Sequence, residues 1–259
     1  MSDRIVSLAP SATATLVALD AADRLVGVTD HCDADAPSVG GWLTPDYDAV
    51  AARDPDLVVT ADPLQAEIHA DLRERGFDTC HVEPATLDEA LDAMTAVGAA
   101  AGLGDRARDL AADCRARIAA VEDAVAGRER PVVYCEEWQD PPMVAGNWVP
   151  DVVRAAGGRY PFVEAGERSR EVDQSRVEAA APAHVVLHVC GEGEAVAPES
   201  MTERGWDVPA VERGAVHVAR DDHFNQPSPS LVDGIEWLAA HLHPDAYKSS
   251  VSAESSRGA

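Results

Sequence analysis

A chain of 259 residues is long enough for one large domain or two ordinary lobes with a sizeable core. Its 46% hydrophobic share, with Val, Ile and Leu runs punctuated by Gly and Pro, excludes a disordered acidic polymer, and 21 basic against 46 acidic residues, net −25, excludes nucleic acid and anionic membrane as partners. The only lysine is Lys248; acidity with lysine depletion predicts an acidic, halophilic protein, because at molar salt the Debye length shrinks to about 3 Å and self-repulsion fades.

In chain order, strands are predicted at Ile5 to Leu8, Leu25 to Val28, Leu57 to Thr60 and Thr79 to Val82. Helices between them are predicted at Ser11 to Leu19, with Ser11 or Thr13 as the cap, at Tyr47 to Ala52, and at Ala66 to Arg75, stopped by Gly76. An Ala-rich helix follows from Leu87 to Ala101, then a long one from Asp105 to Ala126 that Gly127 ends. The pattern then restarts: strand Pro131 to Cys135, helix Val149 to Ala156, strands Val185 to Val189 and Val216 to Ala219, helix Ser230 to Leu242. The stretch from Asp46 to Val59 is echoed from Asp173 to Val186, each a helix, a proline turn and a strand. The fold class expected is α/β: two Rossmann-like lobes, residues 1–103 and 128–247, joined by a long helix over 104–127 and followed by a frayed tail over 248–259. In such sheets ligands sit beyond the carboxyl ends of the strands, so the expected site is a crevice between the lobes.

Strand-end residues are the candidates. The first lobe offers Pro10, Ser11, His31 and Cys32, with Trp42 after the Gly40-Gly41 turn; the second offers Glu137, Trp138, Trp148, Cys190, Phe224 and Asn225. Five Trp against three Phe suits a site that needs aromatic plates, although Trp42 and Trp206 serve equally well as core plugs. Trp237 is expected in the core. His31, Cys32 and Cys190 could reach a metal centre in a guest, or be small packed side chains. The five cysteines are scattered without the spacing of a zinc site, so no metal of the protein's own is expected. Glu136 and Glu137, with Asp140 nearby, could form a carboxylate pair. No nucleophile with a positioned partner, Gly-x-Ser-x-Gly elbow or phosphate-cradling loop accompanies them, so no catalytic residue is assigned. No apolar leader precedes the first strand, which predicts a cytoplasmic chain; an extracellular, membrane-facing place would follow from a removed leader or a misassigned start.

The runs Arg4-Ile5-Val6-Ser7-Leu8-Ala9-Pro10-Ser11, Leu25-Val26-Gly27-Val28-Thr29, His31-Cys32-Asp33 and Pro55-Asp56-Leu57-Val58-Val59 resemble the amino lobe of helix-backbone (class III) periplasmic binding proteins. Glu137-Trp138, Ala145-Gly146-Asn147-Trp148-Val149-Pro150, Cys190-Gly191 and Phe224-Asn225 resemble the signal-less subgroup of its cobalamin-binding branch. The resemblance implies a monomeric binding protein for a cobalamin-like corrinoid, with no cofactor of its own. Haem or a ferric siderophore is the alternative guest, and an enzyme acting on a corrinoid-like substrate a further one. It also implies coupling to an ABC permease through Glu67 and one of Glu192, Glu194 and Glu199. Because cobalamin carries its own lower ligand, Cys32 and Cys190 are then expected to form small walls.

Overall fold

The computed structural model describes residues 3–191 and 195–246. The described residues divide into two compact units, the first formed by residues 3–84, 88–115 and 227–229, the second by residues 85–87, 116–191, 195–226 and 230–246.

The first unit opens with β1 (Ile5–Ser7), α1 (Pro10–Ala18), β2 (Leu25–Val28), a small hairpin of β3 (Gly40–Gly41) and β4 (Thr44–Pro45), and α2 (Tyr47–Ala52). It continues through β5 (Leu57–Ala61), α3 (Ala66–Glu74), β6 (Thr79–Val82), α4 (Leu87–Ala100) and the first half of α5 (Gly104–Val125). Its four main strands run in the order β2-β1-β5-β6, and every pairing is parallel, so all their carboxyl ends emerge along one edge. Both faces of that sheet are covered, which is why its strands read as unbroken apolar runs. Ile5, Val59 and Leu16 pack with Val97 and Ala107 on one side, while Val6, Val58, Ile68 and Leu72 pack on the other.

Helix α1 begins one residue before the expected position and is not capped by Ser11 or Thr13. Ala9 is its N-cap and Pro10 lies in the first turn, where a missing N–H costs nothing. Thr13 instead donates to the Ser7 hydroxyl (2.8 Å), and Thr15 to the Ser11 carbonyl (2.9 Å). Helix α2 is capped by Asp46, whose carboxylate accepts from Asp48 and Ala49 N–H at 3.0 Å each.

The second unit contains β7 (Val133–Gln139), β8 (Pro142–Val144), α6 (Val149–Ala155), β9 (Arg170–Glu171), α7 (Gln174–Ala180) and β10 (His184–Leu187). Next come α8 (Ser200–Glu203), α9 (Pro209–Glu212), β11 (Val216–Val218), α10 (Asp221–Phe224) and α11 (Ser230–Leu242). The sheet order is β11-β10-β7-β8-β9, parallel across the first three strands and antiparallel thereafter. Strand β7 therefore runs past the expected end at Cys135 into a hairpin with β8 that carries Glu137 and Trp138. Tyr134, Phe162, Val185, Leu187 and Trp206 form the core beneath. Gly234 admits α10 against α11, since a Cβ there would meet the His223 carbonyl oxygen at 2.3 Å.

Candidate functional site

In the first unit the parallel register brings Pro10, Ser11, His31 and Cys32 to the carboxyl edge of the sheet. Ser11 is buried in the first turn of α1, Pro10 is half-buried, and His31 is exposed. Cys32 is tucked beneath its turn: its Sγ lies 3.2 Å from Thr29 Oγ1, and its side chain packs on the cluster that holds Ile5 and Ala9. Trp42 is half-buried at the tip of the β3–β4 hairpin. The base of that hairpin is tied to β2, with Val39 N–H donating to the Val28 carbonyl (2.8 Å) and Asp30 N–H to the Gly40 carbonyl (3.0 Å).

Gln65 has no motif to announce it. Its side chain is fully buried and makes three hydrogen bonds, accepting from Ala61 N–H (2.9 Å) and donating to the carbonyls of Leu8 (2.9 Å) and Trp42 (2.7 Å). One amide thus joins the end of β5, the end of β1 and the hairpin tip. Two exposed leucines flank this junction: Leu43, beside Trp42, is 45% exposed and Leu64 is 53% exposed.

In the second unit Trp138 is 46% exposed on the β7–β8 hairpin, its indole N–H donating to the Asp140 carbonyl (3.0 Å). Cys190 is exposed after β10, with its N–H on the Glu137 carbonyl (3.1 Å). Glu137 is half-buried and accepts from the Ser169 hydroxyl. Gly146 makes that contact possible, because a Cβ there would strike the backbone of residues 167–169 at 2.3–2.5 Å. Trp148 and Phe224 are both buried, 7% and 1% exposed, and the Trp148 indole N–H donates to the Phe224 carbonyl (2.7 Å). Trp237 packs edge-on against Phe224.

His188 directly follows β10 and was not foreseen from the sequence. It is fully buried, its ring stacks on Phe224 with centroids 5.1 Å apart, and its Nδ1 meets Asn225 Oδ1 at 2.5 Å. Asn225 also donates to the His188 carbonyl (2.9 Å), which orients its amide oxygen toward the ring. Nδ1 therefore carries the proton and Nε2 is a bare acceptor, buried without a partner among the described residues. Burial pushes this imidazole below the usual histidine range, against the pull of Glu137 and Asp221.

Glu136, the other half of the suggested carboxylate pair, is fully buried and occupied. It accepts from Arg204 (2.5 Å) and from the Tyr134 hydroxyl (2.9 Å), and burial still holds its carboxyl above the ordinary range. Asp140 and Glu137 bracket Trp138 on the β7–β8 hairpin. Glu67 is exposed in the first turn of α3 and Glu199 is exposed at the N-cap of α8; Glu192 and Glu194 lie outside the described residues. Among the described residues, no group of three or more His, Cys, Asp or Glu side chains is arranged to hold a metal ion, and no helix is long and apolar enough to cross a membrane.

The chain is 25% identical over 253 residues to a vitamin B12-binding protein of Vibrio cholerae, covering 93% of this chain and 89% of that one. It is 26% identical over 259 residues to a cobalamin-binding protein of Halobacterium salinarum, covering 93% and 69%. Among solved structures, the apo form of a periplasmic heme-binding protein from Roseiflexus sp. RS-1 superposes with a TM-score of 0.80 at 24% identity, over 95% of this chain and 100% of that one. That last likeness carries the fold. Residues 5–222 match the periplasmic binding protein family, so the chain belongs to that family and is a solute-binding protein, not an enzyme.

Proposed function

We propose that the protein binds a corrinoid of the cobalamin kind, and that the strand-end residues of each unit are its contacts. The observation that carries this reading is the exposure of large apolar side chains, Leu43, Leu64 and Trp138, together with half-buried Trp42, at or beside the carboxyl ends of the parallel strands. Exposed apolar groups at the strand ends of each unit suit a broad, mostly apolar disc. The two sequence relatives, both named for this vitamin, support the same guest. Indole and leucine surfaces desolvate the faces of the macrocycle, while Glu137 and Asn225, already held by Ser169 and His188, offer fixed polar atoms for its amide arms. Cys32, fixed by Thr29 and core contacts, serves as wall. The guest is cargo, and the protein needs no cofactor.

Haem is the second reading, favoured by the exposed His31 imidazole and Cys190 thiol, since both groups ligate iron. Handover to an ABC permease through exposed Glu67 and Glu199 goes with either cargo, as does a place outside the cytoplasmic membrane. Equilibrium dialysis of the purified chain against cyanocobalamin and against haemin separates the readings. Retention of cyanocobalamin near one equivalent supports the corrinoid; retention of haemin alone, with absorption bands that shift in His31→Ala or Cys190→Ser, supports haem.

A further inference from the structure

We infer that Gln65 is a positioning residue for ligand binding, acting through Trp42. This rests on the reading of the first unit's strand-end edge as a ligand surface. The hairpin that carries Trp42 pairs only Gly40 with Pro45 and Gly41 with Thr44, and its strands are two residues each. A two-stranded ribbon that short does not fix its own tip. Gly41 leaves the backbone beside Trp42 without a side chain of its own, and the anchors to Val28 and Asp30 lie at the hairpin's base. The tip is tied by the 2.7 Å bond from the Gln65 amide to the Trp42 carbonyl.

The same amide donates to Leu8 and accepts from Ala61, so the Trp42 backbone is referenced to the two central strands of the sheet. Asp62 sets the approach. It holds a positive φ of 81°, accepts from Leu64 N–H at 2.8 Å, and turns the chain so that Gln65 points inward while Leu64 stays 53% exposed. A buried amide with its oxygen and its nitrogen both engaged has one geometry, and the orientation that satisfies all three backbone groups is also the one that locks the hairpin. Trp42, Leu43 and Leu64 are thereby presented together as a pre-set apolar surface for the face of a planar macrocycle, and the ordering cost of the hairpin is met before the ligand arrives.

The experiment uses the whole chain with all five tryptophans replaced by 5-fluorotryptophan. The resonance that disappears in Trp42→Phe identifies Trp42. In ligand-free Gln65→Met, which keeps the shape and removes all three bonds, that resonance is expected to shift or broaden while the other four hold their positions. Gln65→Glu, which retains the acceptor for Ala61 N–H, is expected to do the same. Binding of cyanocobalamin and of haemin is then measured in Gln65→Met, Trp42→Ala and the double variant. The expected pattern is a loss of about tenfold in Gln65→Met for the probe that the wild type binds, and less than a further twofold when the change is made in Trp42→Ala, because the two residues act as one unit. An unmoved Trp42 resonance in both Gln65 variants overturns the inference, as does full additivity, or loss of the fold in both variants, which would make Gln65 purely structural. If the wild type binds neither probe the corrinoid and haem readings fall, while the fluorine spectra still decide whether Gln65 positions Trp42.

Discussion

Trp138 and Trp148 look alike in the sequence, both in motifs beside strand ends, yet the structure gives them different surroundings. Trp138 is 46% exposed, so Trp138→Ala is expected to leave thermal stability within about 0.5 kcal/mol of wild type and to weaken corrinoid binding by about 2 kcal/mol. Trp148 is 7% exposed and bonded to Phe224, so Trp148→Ala is expected to cost about 3–5 kcal/mol of folding stability. Denaturant melts beside calorimetric titrations check both, and equal stability losses would contradict the assignment. Glu136 and Arg204 allow a similar test. Removing the guanidinium strands a fully buried carboxyl, so Arg204→Ala is expected to lose about 3 kcal/mol. The Glu136 carboxyl, already raised by burial, would be raised further, and a raised acid loses stability as pH climbs above its unfolded value, so the loss is larger at pH 8 than at pH 5. Glu136→Gln in the same chain should recover much of it. A pH-independent loss would contradict the account.

Between β10, β11 and α11 lies a run of imidazoles packed ring against ring. His184 Nδ1 and His217 Nε2 are 3.1 Å apart, and the His241 ring, held by the Trp237 carbonyl, lies 4.5 Å from that of His217. Burial pushes His217 down to about 4, with His241 and His184 pushing the same way; His184 is lowered too, by burial and then by His241, His243 and Arg213. A histidine depressed on folding contributes stability that is present above its unfolded value near 6.5 and is lost as pH falls toward 4. His217→Gln is therefore expected to lose less melting temperature than wild type between pH 7.5 and pH 4.5, and parallel curves would contradict this. Elements with a strong period were legible without the fold: β2, β6, α2 and α11 have the expected ends. The β7–β8–β9 edge was not, because Glu136 to Gln139 is a polar, charged run whose strand character comes from pairing with Val144, Met143 and Pro142. His188 and Gln65 were missed for a related reason. Their importance lies in backbone and amide partners brought close by distant segments, and no local spacing records that.

At the scale of the whole chain, a net charge of −25 sets the conditions under which everything above is measured. We propose a halophilic protein, whose self-repulsion is relieved only when salt shortens the range of its field. The melting temperature is expected to rise from dilute buffer to molar KCl, and a flat profile would contradict that reading. The proposed capture of a flat, apolar cargo draws on the parallel strand ends and on the exposed leucine surfaces of the first unit and the exposed indole of the second. The most direct test is a calorimetric titration of the purified chain with cyanocobalamin in molar KCl, followed in parallel by quenching of tryptophan emission. The account predicts saturable one-to-one binding with quenching that Trp138→Ala reduces; no heat and no quenching at saturating corrinoid, or quenching unchanged by that substitution, would contradict it.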